Sequence, residues 1–141
     1  MVEAVKGQPG AIGYVEYGQA ARAGLIRAQI TNSDGNFVAP SALVFASTAA
    51  EANWDPRLDF DLDLGTVRGP QTYPLTTATF IIMHKSDRSS ARTRRTLFFF
   101  NHALERGDAV AAELGFVPLP EELASKVRTY WAETLPGAAG F

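Results

Sequence analysis

Residues 73–85 read YPLTTATFIIMHK, and this stretch sets the architecture expected for the rest of the chain. It is rich in β-branched and apolar residues, and it has no regular alternation of apolar and polar positions. A strand that is buried on both faces of a sheet has this kind of sequence. The sequence therefore predicts a buried strand over 73–85, near the middle of the 141-residue chain.

Short elements of alternating type are expected before this strand. The patterns predict, in chain order, a strand at 11–17, a helix at 18–24, a strand at 25–31, a hairpin turn at 32–35 with a return strand at 36–38, and a helix at 41–52. Residues 55–72 are polar and show no strong period, which makes them the candidate boundary or crossover.

Helices dominate the remainder of the chain, after a polar loop at 86–90. They are predicted at 91–106, at 108–114 with Asp108 as the cap, and at 120–135. Two apolar faces are expected on the first and last of these helices, formed by Leu97, Phe100, Asn101 and Leu104, and by Leu123, Val127, Tyr130 and Trp131. Strands that alternate with helices indicate an α/β architecture.

Composition excludes several classes of protein. The chain has a net charge of −2, so no overall positive field favours nucleic acid. It has no cysteine, which excludes disulfides, thiolate metal ligands and cysteine nucleophiles within this chain. Its longest apolar runs, such as 97–100, are too short to span a bilayer. The first residues lack an apolar core and a cleavage pattern, so no export signal is expected.

Two patterns superficially resemble metal sites. His102 and Glu105 stand three apart on a predicted helix, but nothing nearby completes a ligand set and His84 is far away in sequence. Aspartates alternate at positions 59, 61 and 63, without the glycine and glutamate of an EF-hand loop. Surface polar contacts are favoured for the first pattern and a solvated loop face for the second.

One basic cluster could receive an anion. It comprises Arg88, Arg92, Arg94 and Arg95. Its place at a predicted helix start is unfavourable for cations, because the helix dipole is positive there. A solvated face or a protein contact is therefore favoured. No Gly-x-Ser-x-Gly elbow, Walker pattern or Rossmann glycine pattern is present, so the sequence predicts no enzyme.

Three consecutive phenylalanines, residues 98–100, spread over most of a helix circumference at about 100° per residue. At least one of them must face a second surface. Two interpretations remain open: the helix packs between two elements of one core, or it lacks a neighbour when the chain is alone. Trp54 and Trp131 are expected to be core anchors or interface residues.

Three segments together resemble a known family. They are 9–17 (PGAIGYVEY), 73–85, and 99–135 with FFNHAL, LGFVPLP and KVRTYW. In this order they are similar to the C-terminal portion of the PstS family, the periplasmic solute-binding proteins of ABC phosphate importers, and 40–54 looks like the family's intervening helix. The resemblance implies a type II periplasmic-binding-protein-like α/β fragment that contributes to two lobes joined by a crossover strand.

The same resemblance implies how the chain is divided. Residues 1–72 would be the C-terminal part of the second lobe, 73–79 the hinge or crossover strand, and 80–141 the C-terminal part of the first lobe with its closing helices. The family's phosphate ligands lie upstream of the matched portion, and no position here matches their motifs. No catalytic, phosphate-binding or metal-binding residue and no cofactor is therefore predicted in this chain.

Partners and location follow from the resemblance as expectations. Inorganic phosphate would bind only with the missing N-terminal part, the full family works with an ABC permease, and a complementary chain or a homo-oligomer is expected. The location would be periplasmic, or cytoplasmic if the chain is native as written. The alternative is a stand-alone protein-interaction or regulatory module, derived from that scaffold and able to self-associate.

Overall fold

The computed structural model describes residues 1–85 and 90–138, and this part of the chain is mainly helical with little sheet. Its helices are α1 (Val2–Gly7), α2 (Tyr17–Arg22), α3 (Ala42–Glu51), α4 (Ser90–Arg106), α5 (Asp108–Glu113) and α6 (Glu121–Thr134), and its strands are β1 (Ile30–Thr31) and β2 (Phe37–Val38). Short 3₁₀ helices lie at Pro56–Leu58 and Leu64–Thr66. Of the polar loop predicted at 86–90, residues 86–89 lie outside the described residues.

The predicted helices are confirmed, with small changes at their ends. Ser41 caps α3, since its hydroxyl accepts a hydrogen bond from the backbone N–H of Val44 at 3.3 Å. The predicted cap of α5 is wrong, because Asp108 is its first helical residue and Gly107 precedes it as the cap. Asp108 still favours this helix start through the dipole. Helix α1 is an addition that the sequence patterns did not predict.

The predicted hairpin is confirmed. Strands β1 and β2 are antiparallel, with Ile30 opposite Val38 and Thr31 opposite Phe37. The side-chain oxygen of Asn32 accepts hydrogen bonds from the backbone N–H groups of Asp34 and Asn36, at 3.1 and 3.0 Å. This is the local bonding by which asparagine stabilises a turn.

Three strand predictions are wrong. Residues 11–16 and 76–85 have no regular secondary structure, and the strand expected at 25–31 is reduced to β1. A strand exists only where a neighbour accepts and donates its backbone hydrogen bonds. Within the described residues these stretches have no such neighbour, and side chains that a sheet would cover are exposed, including Ile12 at 96% and Ile26 at 101%.

The buried apolar residues form three small clusters. Cluster one contains Trp54, Phe60, Leu64 and Leu123; cluster two contains Val38, Val44 and Tyr73; cluster three contains Leu97, Leu135 and Ala138. Cluster one joins α6 to residues 54–64, and cluster two joins the hairpin to α3. Cluster three holds α4 against the end of α6. Among the described residues, no helix combines the length and apolar character needed to cross a bilayer.

Candidate functional site: the crossing segment and its anchors

The stretch that was predicted as a buried strand, 73–85, touches all three apolar clusters, and we call it the crossing segment. Tyr73 belongs to cluster two, Ala78 packs against cluster one, and Met83 packs against cluster three. Polar contacts fix the position of each end of the segment. The crossing segment therefore contacts the three clusters one after another, and its ends are its two anchors.

The first anchor is a buried hydroxyl on α3. Thr48 is fully buried; its Oγ1 donates to the carbonyl of Val44 at 2.9 Å and accepts from the backbone N–H of Tyr73 at 2.9 Å. The Tyr73 ring is buried and meets the ring of Phe45 edge-on, with centroids 5.5 Å apart. Burial raises the pKa of the Tyr73 hydroxyl. One side chain thus satisfies a backbone group that water cannot reach.

Replacing Thr48 with valine is expected to lower the free energy of unfolding by about 1–3 kcal/mol, because the buried N–H of Tyr73 loses its acceptor. Valine keeps the size of threonine, so little of this loss would come from a cavity. Urea unfolding followed by circular dichroism measures the change. The Thr48→Ser variant keeps the hydroxyl and should lose less; an equal loss in both variants would contradict the anchor.

The hairpin turn holds the chain just before the crossing segment. The Asn32 amide donates to the carbonyls of Gly69 and Thr72, at 2.9 and 3.3 Å. The Asp34 carboxylate accepts from the backbone N–H of Gly69 at 3.0 Å. Asn32 is buried, and its amide oxygen accepts hydrogen bonds within the turn while its amide nitrogen donates to the chain before the crossing segment. One set of hydrogen bonds therefore holds the turn and the start of the crossing segment together.

The second anchor is a cluster of three side chains that we call the clasp. The Lys85 ammonium donates to Asp59 Oδ1 at 2.8 Å, the Tyr130 hydroxyl donates to the same oxygen, and Lys85 Nζ lies 5.5 Å from the centre of the Tyr130 ring. Asp59 and Phe60 both have positive φ, 53° and 60°, which non-glycine residues seldom adopt. The clasp joins the end of the crossing segment to α6.

Charge and hydrogen bonding shift the pKa values within the clasp. The hydrogen bonds from Lys85 and then Tyr130 hold the pKa of Asp59 below its usual 3.8. The hydrogen bond to Asp59 raises the pKa of Lys85. Both side chains are more than half exposed, so solvent screens their attraction and the pair acts as a positional tie more than as a source of stability.

Lowering the pH is expected to open the clasp. Because the folded-state pKa of Asp59 is lowered, its stabilising contribution is complete above 3.8 and is lost as the pH falls from 3.8 through the folded-state value. The difference in unfolding free energy between the native chain and Asp59→Asn should therefore shrink below pH 3.8. Urea titrations at several pH values measure it. Asp61→Asn, at a neighbouring exposed position outside the clasp, is the matched control, and a trend of equal size in both variants would refute the clasp.

The residues singled out as metal candidates do not converge. Asp59 lies in the clasp, Asp61 is exposed, and the Asp63 carboxylate caps a 3₁₀ helix by accepting from the N–H of Gly65 at 2.9 Å. His84 and His102 are both exposed, and Glu105 accepts from the Asn101 amide at 2.9 Å. In residues 1–85 and 90–138, no three acidic, histidine or cysteine side chains group as metal ligands.

The remaining candidates lie mostly on the surface. Arg92, Arg94 and Arg95 are exposed on the first turns of α4, and Arg88 lies outside the described residues. Phe98 and Phe99 are 70% and 65% exposed, whereas Phe100 is half-buried. Trp54 is buried and donates from its indole nitrogen to the carbonyl of Ala49 at 2.7 Å, and Trp131 packs against cluster three.

Sequence reasoning missed both anchors. Thr48 offered one local signal, since a polar residue on the buried face of a helix bonds back to the carbonyl four residues earlier. The clasp offered none, because its members are 26 and 71 residues apart along the chain. The arrangement positions a backbone segment.

Comparison with known proteins identifies what this arrangement is similar to. No family model matches the chain. The phosphate-binding protein PstS of Pasteurella multocida strain Pm70 is 36% identical over 129 residues, 92% of this chain and 38% of its own length. The resemblance to the PstS proteins is confirmed. PstS of Xylella fastidiosa strain 9a5c is 37% identical over 87% of the chain and 34% of its own length. PstS of Haemophilus influenzae is 34% identical over 88% of the chain and 37% of its own length.

The chain thus spans little more than a third of the curated PstS relatives that it matches. The match covers nearly all of the chain, so few of its residues fall outside the similarity. More than three fifths of each relative has no counterpart in it.

Proposed function

We propose that the chain is the C-terminal part of the phosphate-binding component of an ABC phosphate importer. It would supply scaffold and hinge and none of the phosphate ligands. The observation that carries this proposal is the similarity to PstS proteins over about nine tenths of the chain, combined with a span of little more than a third of their length. The absence of any match to ligand motifs is consistent with ligands supplied by the remaining part.

The proposed layout keeps residues 1–72 in the second lobe, 73–79 as the hinge and 80–141 in the first lobe. The two ends of the crossing segment are consistent with it, because Tyr73 packs against cluster two and Met83 against cluster three. Cluster one and the clasp also join residues from both sides of the hinge, so the two parts would contact each other as well. Residues between these contacts are exposed or half-buried. A few such residues can absorb the change in backbone dihedrals that accompanies lobe closure.

The proposed mechanism is binding without chemistry. Phosphate would be held by helix N-termini and charged hydrogen bonds in the remaining part of the protein. This chain would orient the two lobes, the protein would work in the periplasm with an ABC permease, and no enzyme activity is assigned to it.

Calorimetric titration of the isolated chain with inorganic phosphate tests the scaffold role. We expect no saturable heat at micromolar phosphate, while the full-length Pasteurella multocida PstS, titrated in the same buffer, serves as the positive control. Saturable micromolar binding by the isolated chain would overturn the proposal, because ligands would then lie within it.

A second candidate function is a stand-alone interaction module that self-associates. The observation in its favour is the exposure of large apolar side chains such as Ile82, which is 95% exposed. Light scattering after gel filtration separates the two: a stable dimer of the isolated chain would favour the module, and a monomer would count against it.

A further inference from the structure

We propose that the clasp is a salt-sensitive latch across the proposed hinge, and that its release lets the two sides of the hinge change their relative arrangement. Asp59 comes from the part before the hinge, whereas Lys85 and Tyr130 come from the part after it. The inference deepens the proposed function and rests on it, because the hinge at 73–79 belongs to that proposal. The latch would make lobe closure depend on ionic strength.

The clasp contains an ion pair that spans the hinge. Lys85 and Asp59 lie on opposite sides of 73–79, and Lys85 Nζ is 2.8 Å from Asp59 Oδ1. The other ion pairs between described residues each lie on one side of the hinge. They are Asp55 with Arg57, Asp34 with Arg68, and Glu121 with Arg128. Breaking one of those pairs removes no contact between the two sides, whereas breaking the clasp does.

The acceptor of the latch is held by its own turn. The backbone N–H of Asp59 donates to the carbonyl of Pro56 at 3.2 Å, and that of Phe60 donates to the carbonyl of Asp55 at 3.1 Å. Asp59 and Phe60 both have positive φ, and such backbone conformations persist only where surrounding contacts maintain them. The turn therefore presents the carboxylate in a fixed position on one side of the hinge.

The donors of the latch move with the other side. Lys85 ends the crossing segment six residues after the proposed hinge, and Tyr130 lies on α6. Both donate to the same oxygen of Asp59. Hydrogen bonds weaken steeply when their distance or angle changes. The clasp therefore favours one arrangement of the two sides over others that differ by a small displacement.

Other contacts also join the two sides, but they allow small movements. Cluster one contains buried apolar residues from both sides, and apolar attraction has no preferred direction, so packed elements can slide. Gly18 and Gly115 touch backbone to backbone, since a Cβ atom on Gly115 would lie 2.3 Å from the Cα of Gly18. The hydrogen bond from Arg22 to the carbonyl of Leu114 lies beside that contact. These two contacts fix one point, about which the sides can still turn.

Exposure makes the latch sensitive to salt. The side chain of Lys85 is 56% exposed and that of Asp59 is 63% exposed, so water and ions reach both charges. The screening length falls to about 3 Å at 1 M salt, which is close to the 2.8 Å between Nζ and Oδ1. An exposed ion pair shifts an equilibrium by at most about fivefold. We therefore expect release to raise the population of other arrangements about two- to fivefold.

Distances between two spin labels in the 141-residue chain test the latch. The chain has no cysteine, so Ala50→Cys on α3 and Ala109→Cys on α5 place one label at an exposed position on each side of the hinge. We expect a narrow distance distribution at low salt, and a population of other distances about two- to fivefold larger at about 1 M sodium chloride. Lys85→Met should show the larger population at low salt, with no further change as salt is added.

Glu121→Gln is the matched control, because it removes an exposed carboxylate from an ion pair of 2.9 Å that lies within α6. It should leave the distance distribution unchanged, and Lys85→Arg, which keeps the cation, should stay close to the native distribution. Circular dichroism checks that each variant folds, and the salt titration of the native sequence needs no variant. A native distribution that does not respond to salt, a Lys85→Met distribution equal to the native one, or equal broadening by Glu121→Gln would overturn the latch.

Phosphate titration of the same chain distinguishes failure of the latch from failure of the proposed function. Broadening by Lys85→Met together with saturable micromolar phosphate binding by the isolated chain would support the latch and refute the proposed function. An unchanged distribution without phosphate binding would refute the latch alone.

Discussion

The Leu97→Ala variant is expected to lower the free energy of unfolding by about 2–5 kcal/mol. Leu97 is fully buried on α4 and forms cluster three with Leu135 and Ala138, while Met83 of the crossing segment packs against the cluster. Its truncation removes apolar burial and leaves a cavity where α4, the end of α6 and the crossing segment meet. The loss should appear in urea unfolding as a lower midpoint with an unchanged slope.

Phe98 provides the matched control for this experiment. It is the next residue of α4 and is 70% exposed, so Phe98→Ala should change the stability of the isolated chain by less than about 0.5 kcal/mol. Comparable losses in the two variants would mean that α4 is not seated through Leu97, and the description of cluster three would be wrong.

The Gly115→Ala variant is expected to lose about 2–5 kcal/mol, for two reasons that add. Gly115 has φ of +83°, which costs a residue with a side chain about 1–2 kcal/mol. A Cβ atom at this position would also lie 2.3 Å from the Cα of Gly18, so α2 would have to move away from the end of α5. That movement would strain the hydrogen bond from Arg22 to the carbonyl of Leu114, which is 2.8 Å long.

Gly24 is a control that separates the backbone cost of positive φ from the steric cost of the added Cβ atom. Its φ is +66°, and a Cβ atom there would meet nothing within 4 Å, so Gly24→Ala should lose only the backbone cost of about 1–2 kcal/mol. Thermal and urea unfolding of both variants measure the difference. If Gly115→Ala were no worse than Gly24→Ala, the close approach of α2 to the end of α5 would be contradicted.

Helices and the hairpin could be predicted because their bonding is local. Helices α3, α4 and α6 pair their backbone N–H and C=O groups within four positions along the chain. Ser41, the residue directly before α3, caps that helix. Asn32 directs the hairpin through contacts within four residues. Periodicity and turn residues report such features directly.

Strands could not be predicted in the same way, because pairing depends on another segment. The sequence of 73–85 is that of a buried strand, yet the described part of the chain offers it no neighbour and it forms the crossing segment instead. Apolar and polar residues do alternate in 25–31, but only the two residues of β1 form a strand. A local pattern specifies what a segment would do in a sheet and does not supply the sheet.

The candidate site could be predicted from the sequence only in part. The resemblance pointed to 73–79 as a hinge, but the anchors at Thr48 and at the clasp of Asp59, Lys85 and Tyr130 depend on contacts between distant residues. The clasp places the end of the crossing segment against α6, six residues beyond the proposed hinge. A segment held at both ends is consistent with the hinge that we propose at 73–79.

Phosphate titration of the two-part complex, the chain bound to the remaining part of the Pasteurella multocida PstS, tests the central claim most directly. The account predicts saturable binding of one phosphate per complex and no saturable binding by this chain alone. Saturable binding by the isolated chain, or a stable complex that takes up no phosphate, would contradict the account.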